Sequence, residues 1–158
     1  MQAKPRPAAS PVQALTAMDD LIATAMVGQQ EIAAQVGLNV TDLTCFAYVL
    51  QAGEDLLTAG DLAARAHVTT GAVTGILNRL ERAGYVTRRP DPTDRRRVRV
   101  AALPDAEARI REIYEPYYAR LMDLFADYSP DEIAVLTDWF TRASALAAGY
   151  LEEHCRTD

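Results

Sequence analysis

Cysteine and histidine are scarce in this 158-residue chain, and the scarcity removes several classes of function at once. Cys45 and Cys155 stand far apart, no Cys-x-x-Cys pair occurs, and His67 and His154 are the only imidazoles. Neither a disulfide framework nor a paired-cysteine zinc site is indicated, and no His, Cys, Asp and Glu cluster for metal sensing can be assembled. A nucleophile elbow, a phosphate-cradling glycine loop and a histidine set beside a serine or cysteine with a third partner are also missing. The chain is therefore read as no enzyme, with no cofactor. No apolar run approaches the ~18 residues of a membrane span, and the opening MQAKPRPAASPVQ lacks the apolar stretch of a secretory signal. A cytoplasmic protein without a membrane partner is the expectation.

What is present suits one soluble domain. Hydrophobic residues make up 49% and charged residues 24%, which excludes intrinsic disorder and collagen-like repeats. The net charge of -6 argues against a nucleic-acid partner only until the chain is divided. Residues 61–100 hold nine arginines (65, 79, 82, 88, 89, 95, 96, 97 and 99) against Asp61, Glu81, Asp91 and Asp94, a local balance of +5. The remainder carries -11. Arginine's planar fork suits phosphate and base-edge contacts better than lysine's point charge, and a one-sign stripe is the footprint of polyanion binding.

The order of elements follows from periodicity and caps. Residues 1–11, with three prolines, read as a flexible arm. Leu15, Met18, Ile22, Met26, Ile32 and Val36 follow helical spacing up to Gly37, giving a long first helix. Thr41 is expected to cap a second, with Leu43, Phe46, Ala47 and Leu50 on its apolar face and Gly53 at its end. Thr58 and Asp61 open a short third helix in a capping-box pattern. A fourth starts at Thr69 or Thr70, buries Val73, Ile76, Leu77 and Leu80, and stops at Gly84. Residues 85–89 and 97–101 read as two strands, with Val86, Val98 and Val100 on one side and Arg88, Arg97 and Arg99 on the other, joined by PDPTDRR. A fifth helix from Pro104 is expected to kink near Pro116. Ser129-Pro130-Asp131-Glu132 is a capping box for a sixth, with Ile133, Leu136, Trp139, Phe140, Ala143, Leu146 and Tyr150 on its apolar side.

A short capped helix, a tight turn, a helix with a polar small-residue face and a basic hairpin form a winged helix-turn-helix in sequence order. The fold class expected is mainly α with a small β-hairpin wing, extended by long N- and C-terminal dimerisation helices. Residues 38–103 would be the DNA-binding lobe of a single unit spanning 12–158, and 12–37 and 104–158 the dimerisation helices. On the fourth helix, Thr69, Thr70, Gly71, Thr74, Gly75, Asn78, Arg79 and Arg82 face the expected major groove. The glycines admit close approach, Thr70, Thr74, Asn78 and Arg79 offer groups to base edges, and Arg82 suits phosphate. Arg88, Arg95, Arg96, Arg97 and Arg99 arm the wing, which can place an arginine in the adjacent minor groove.

With Leu43-Thr44, T-x-x-D-L-A at 58–63 and TTGAVTGILNRLERAGYVTRRPDPTDRRRVRV at 69–100, flanked by long helices, the chain resembles a MarR-family transcriptional regulator. The resemblance covers nearly everything beyond residue 11, and its most specific stretch runs from Leu77 to Arg96. It implies a homodimer whose first, fifth and sixth helices pack against their mates. It implies a repressor that reads an inverted repeat in double-stranded DNA, with half-sites about one turn apart. It also implies that Asp94 braces Arg96 or Arg97, although Arg97 makes this wing more basic than is usual in the family. Family members bind small aromatic effectors in a cleft, for which Met26, Cys45, Tyr48, Tyr114 and Tyr117 become the candidates. Apart from the resemblance, the apolar stripes of the terminal helices exceed what a small reading head can cover, which itself suggests an interface.

Two other readings remain. A redox-sensing branch of the family uses a cysteine near the start of the first helix, where this chain has none; Cys45 reads instead as a small buried hydrophobe and Cys155 as part of a fraying tail. A winged helix serving only as a protein-interaction module would not require arginines on both the recognition helix and the wing.

Overall fold

The computed structural model describes residues 7–91, 94 and 97–154. In chain order the elements are α1 (Pro11–Gln35), α2 (Val40–Ala52), β1 (Leu57–Thr58), α3 (Ala59–Ala66), α4 (Thr70–Arg82), β2 (Val86–Pro90), β3 (Val98–Ala102), α5 (Pro104–Phe125) and α6 (Pro130–His154). This is the mainly helical fold with a small antiparallel sheet that the sequence suggests. It has three strands rather than two, in the order β1-β3-β2. β1 pairs Leu57 with Val100 and Thr58 with Arg99, and at two residues it is too short to show any alternation in the sequence.

Local chemistry sets the helix ends. Ser10, expected to belong to the arm, closes a capping box with Gln13 at α1, and Pro11 takes the first turn, where its missing N–H is no loss. Asn39, not Thr41, caps α2: its Oδ1 accepts the Asp42 N–H at 2.8 Å. The Thr58–Asp61 and Ser129–Glu132 boxes form at α3 and α6 as their spacing predicts. His67 ends α3 in the left-handed region at φ 51°, a conformation uncommon outside glycine. Gly37 and Gly84 follow α1 and α4 at φ 71° and 74°, where a side chain would be strained.

The chain divides into two compact units, with the boundary inside α5. Ala9–Tyr114 forms one, and the chain from Glu115 onward belongs to the other. α1 and the start of α5 thus group with the winged helix rather than with α6. α5 is helical through Pro116, next to that boundary.

The core of the first unit is built from Phe46 of α2, Leu62 of α3, Val73, Leu77 and Leu80 of α4, and the sheet residues Val86 and Val100. All four apolar residues expected on the inner face of α4 are buried. α2 is turned relative to expectation: Cys45 and Val49 are buried, whereas Ala47 and Leu50 are only half-buried, and Asp42 is buried with them. Phe46 meets Tyr85 edge-to-face with centroids 5.2 Å apart, and the Tyr85 hydroxyl donates to the Val36 carbonyl at 2.8 Å, tying the end of α1 to the start of the sheet. α6 buries none of its residues within the chain.

Candidate nucleic-acid interface

α4 turns its inner stripe to the core, which leaves Thr69, Thr70, Gly71, Thr74 and Asn78 exposed and Gly75 half-exposed on the opposite side. Thr69 caps the helix by accepting the Ala72 N–H, and Thr74 Oγ1 donates to the Thr70 carbonyl at 3.1 Å. A Cβ built on Gly71 would meet only Thr69 Oγ1 at 3.9 Å, and one on Gly75 only Arg79 Nη1 at 3.5 Å. Nothing among the described residues therefore demands glycine at either place, although each costs about 1 kcal/mol of helix stability relative to alanine.

The arginines divide sharply. Arg79 does not stand free for base edges: its Nε donates to Asp42 Oδ2 at 2.8 Å and its Nη2 to Asp42 Oδ1 at 2.7 Å. The Asp42 side chain is only 3% exposed, so this bidentate pair clamps α4 to α2. The Asp42 contact raises the Arg79 pKa, which keeps the guanidinium charged throughout any usable pH range. Arg82 remains exposed, and its Nε donates to the Asn78 carbonyl one turn back.

Arg88 also departs from expectation. Residues two apart on a strand share a face, and the pairing Arg88↔Val100 puts Arg88 on the side of Val86 and Val100 rather than opposite them. From there Arg88 Nη1 reaches Glu81 Oε2 at 2.6 Å and Nη2 reaches Asn78 Oδ1 at 2.9 Å, joining wing and recognition helix. A crease of about 400 Å³ runs between them, its lining including Leu77, Val98 and Val100 together with Thr74, Asn78 and Arg88.

At the wing base the structure reveals a brace that sequence reasoning missed. Asp91, not Asp94, is the buried carboxylate: Arg99 Nε donates to its Oδ2 at 2.6 Å, and the Asp94 N–H donates to its Oδ1 at 3.1 Å. Arg99 also donates to the Leu56 carbonyl, so its role here is to hold the hairpin to the chain before β1 rather than to project from it. Backbone bonds from the Asp91 N–H to the Arg97 carbonyl and from the Arg97 N–H to the Asp94 carbonyl close the turn, and the Arg97 side chain is exposed. Arg95 and Arg96, and with them the Asp94–Arg96 brace, lie outside the described residues. Near the wing base, Asp61 has its carboxyl held below the usual range by the Thr58 backbone N–H and hydroxyl, with the charges of Arg97 and Arg99 adding to the effect.

A small-residue helix face flanked by a braced basic hairpin is the geometry of a winged-helix DNA reader, and comparison with known proteins agrees. The MarR family model matches residues 36–97. A Bacillus subtilis relative, the uncharacterized HTH-type transcriptional regulator YcgE, is 35% identical over 123 residues, covering 78% of this chain and 79% of its own. The chain belongs to the MarR family. It is a DNA-binding transcriptional regulator and not an enzyme. Among solved structures, Streptococcus pneumoniae FabT in complex with DNA shares the fold at 20% identity, with TM-score 0.62 over 86% of this chain and 99% of that one. NadR in complex with 4-hydroxyphenylacetate does so at 24% identity, with TM-score 0.61 over 90% and 97%.

Within this MarR-family fold, the five residues considered for an effector differ in exposure. Cys45 is fully buried in the core, Met26 is 59% exposed on α1, and Tyr48 and Tyr114 pack partly buried against the core. Tyr117 belongs to the other unit. Burial, and then the neighbouring Asp42 carboxylate, push the Cys45 thiol above its ordinary pKa, the reverse of what an oxidant-sensing thiolate requires. Cys155 lies outside the described residues. No group of three or more potential metal ligands is found among the described residues, and no single described helix is long and apolar enough to cross a membrane.

Proposed function

We propose that this protein is a homodimeric repressor that binds an inverted repeat in duplex DNA and is released by a small aromatic effector. The exposed face of α4, where Gly71 and Gly75 are small for no reason found among the described residues, carries the reading. Thr70, Thr74 and Asn78 offer hydrogen-bonding groups to base edges, and Arg82 and the wing arginines 95, 96 and 97 take phosphate or the minor groove. Arg79, Arg88 and Arg99 support this surface from behind.

Exposed Trp139, Phe140, Leu146, Tyr150 and Leu151 on a helix that buries nothing within its own chain argue for a second copy as cover. A dimer occupying an operator excludes other proteins from it, hence repression. NadR, a relative in fold seen with a phenolic acid, supports an aromatic effector here, with Tyr48 and Tyr114 as the aromatic candidates of the first unit.

Sedimentation at micromolar concentration and titration of an inverted-repeat duplex against salt test the proposal. With ~4 phosphates neutralised per protomer, log K falls with log salt at a slope of about -7. A monomer, or a slope near zero, overturns it.

A further inference from the structure

Asn78 is the amide on the exposed face of α4, and an amide can read DNA in two ways. With both ends free it matches adenine, accepting from N6 and donating to N7; an oxygen that already accepts from a cation keeps a second lone pair, but any further donor brought to it meets that cation's charge. In this structure the oxygen accepts from such a cation, since Arg88 Nη2 lies 2.9 Å from Asn78 Oδ1. A guanidinium carries donors and no acceptor, so the atom facing it has to be the oxygen, and the amide orientation is fixed. Glu81 holds Arg88 in place from the other side, at 2.6 Å on Nη1. Asn78 offers its Nδ2 hydrogens freely, whereas the lone pair that remains on its oxygen lies beside a cation that repels donors. In the major groove adenine N6 and cytosine N4 are donors, whereas guanine alone presents two adjacent acceptors, O6 and N7.

We infer that Arg88 is a positioning residue for base selection: by bonding the Asn78 oxygen it orients the amide and sets a positive charge against base donors there, so that the recognition helix prefers guanine over adenine at the base pair Asn78 meets. The inference rests on α4 being the DNA-reading helix.

The test is selection of bound duplexes from a random library by the intact protein and its variants, followed by competition between guanine and adenine at the selected position. Wild type is expected to favour guanine there by about ten-fold. It should also lose affinity when that base is 7-deazaguanine, which lacks the N7 acceptor. Arg88→Met keeps the apolar stem but no donor, and should move the preference at that one position to adenine. Any attraction between the Arg88 charge and phosphate favours both duplexes alike, so its removal cancels in the ratio. Arg88→Lys, which restores a donor, should recover guanine, and thermal melting identifies any variant that does not fold. Should Asn78→Ala erase the preference while Arg88→Met and Glu81→Gln both leave the guanine ratio intact, the positioning role is overturned and α4 remains the reader. Should Asn78→Ala leave the whole selected sequence unchanged, or should wild type select no sequence, the reading of α4 falls as well.

Discussion

Asp42 and Arg79 lie 37 positions apart in sequence and meet through two parallel hydrogen bonds, with the carboxylate buried and the guanidinium nearly half exposed. That difference in exposure makes the pair asymmetric. Deleting Asp42 leaves a guanidinium that can turn to water, whereas deleting Arg79 strands a buried carboxylate on α2, and an unsatisfied buried acceptor costs about 1–3 kcal/mol, more when charged. Arg79→Ala should therefore lower the melting temperature more than Asp42→Ala, and the double variant should melt above Arg79→Ala alone. Thermal melts of the three variants decide the matter; equal losses would mean that the pair does not carry the junction.

The glycines of α4 lead to an opposite pair of effects. Gly75→Ala adds a methyl that meets only Arg79 Nη1 at an ordinary contact distance, and it removes a poor helix former. Stability should rise by up to about 1 kcal/mol while affinity for the selected duplex falls, because the backbone can no longer come as close to the groove. Calorimetric melting and a binding titration on the same sample read both. A variant that melts higher and binds equally well would show that the DNA does not approach Gly75.

Asp61 sets an acid limit on the α3 junction. Its carboxylate accepts from the Thr58 N–H at 2.8 Å and from the Thr58 hydroxyl at 2.7 Å, which lowers its pKa below that of an unfolded aspartate. A carboxylate with a depressed folded pKa stabilises above the unfolded value, and the contribution disappears as pH falls from that value through the folded one. The melting-temperature gap between wild type and Asp61→Asn should be full near neutral pH, begin to shrink below about pH 4, and close in stronger acid. A gap independent of pH would assign the effect to packing instead of charge.

These particulars explain what the sequence could and could not disclose. The Thr58–Asp61 and Ser129–Glu132 caps were legible because both partners lie within one turn, and the inner stripe of α4 because helical period alone sorts it. Asp42 was not legible: it lies in the first turn of α2, where an acid needs no special reason, and its bidentate partner stands 37 residues on. The place of Arg88 followed from strand alternation, since residues 86 and 88 share a face, but the run of arginines invited a single outward-facing stripe. The choice of Asp91 over Asp94 as the buried wing carboxylate has no local signal. It depends on β1, two residues long, bringing the Leu56 carbonyl beside Arg99.

The Asp91 brace yields the last prediction. Asp91 accepts from Arg99 and from the Asp94 N–H, so Asp91→Ala frees both the strand that begins the return of the hairpin and the turn that precedes it. The wing then has to be ordered on binding, at about 1–2 kcal/mol for each backbone residue newly fixed, which predicts a loss of affinity of ten-fold or more. No phosphate-contacting arginine has been removed, so the loss should be uniform across sequences and the salt slope unchanged. Arg97→Ala differs in kind: the braced wing persists, one cation is gone, and the slope should fall by about one unit per protomer. Titrations of both variants at several salt concentrations separate the two behaviours. If Asp91→Ala flattened the slope as Arg97→Ala does, Arg99 or its neighbours would be contacting phosphate through the brace, and Asp91 would be aiming a cation rather than stiffening a hairpin.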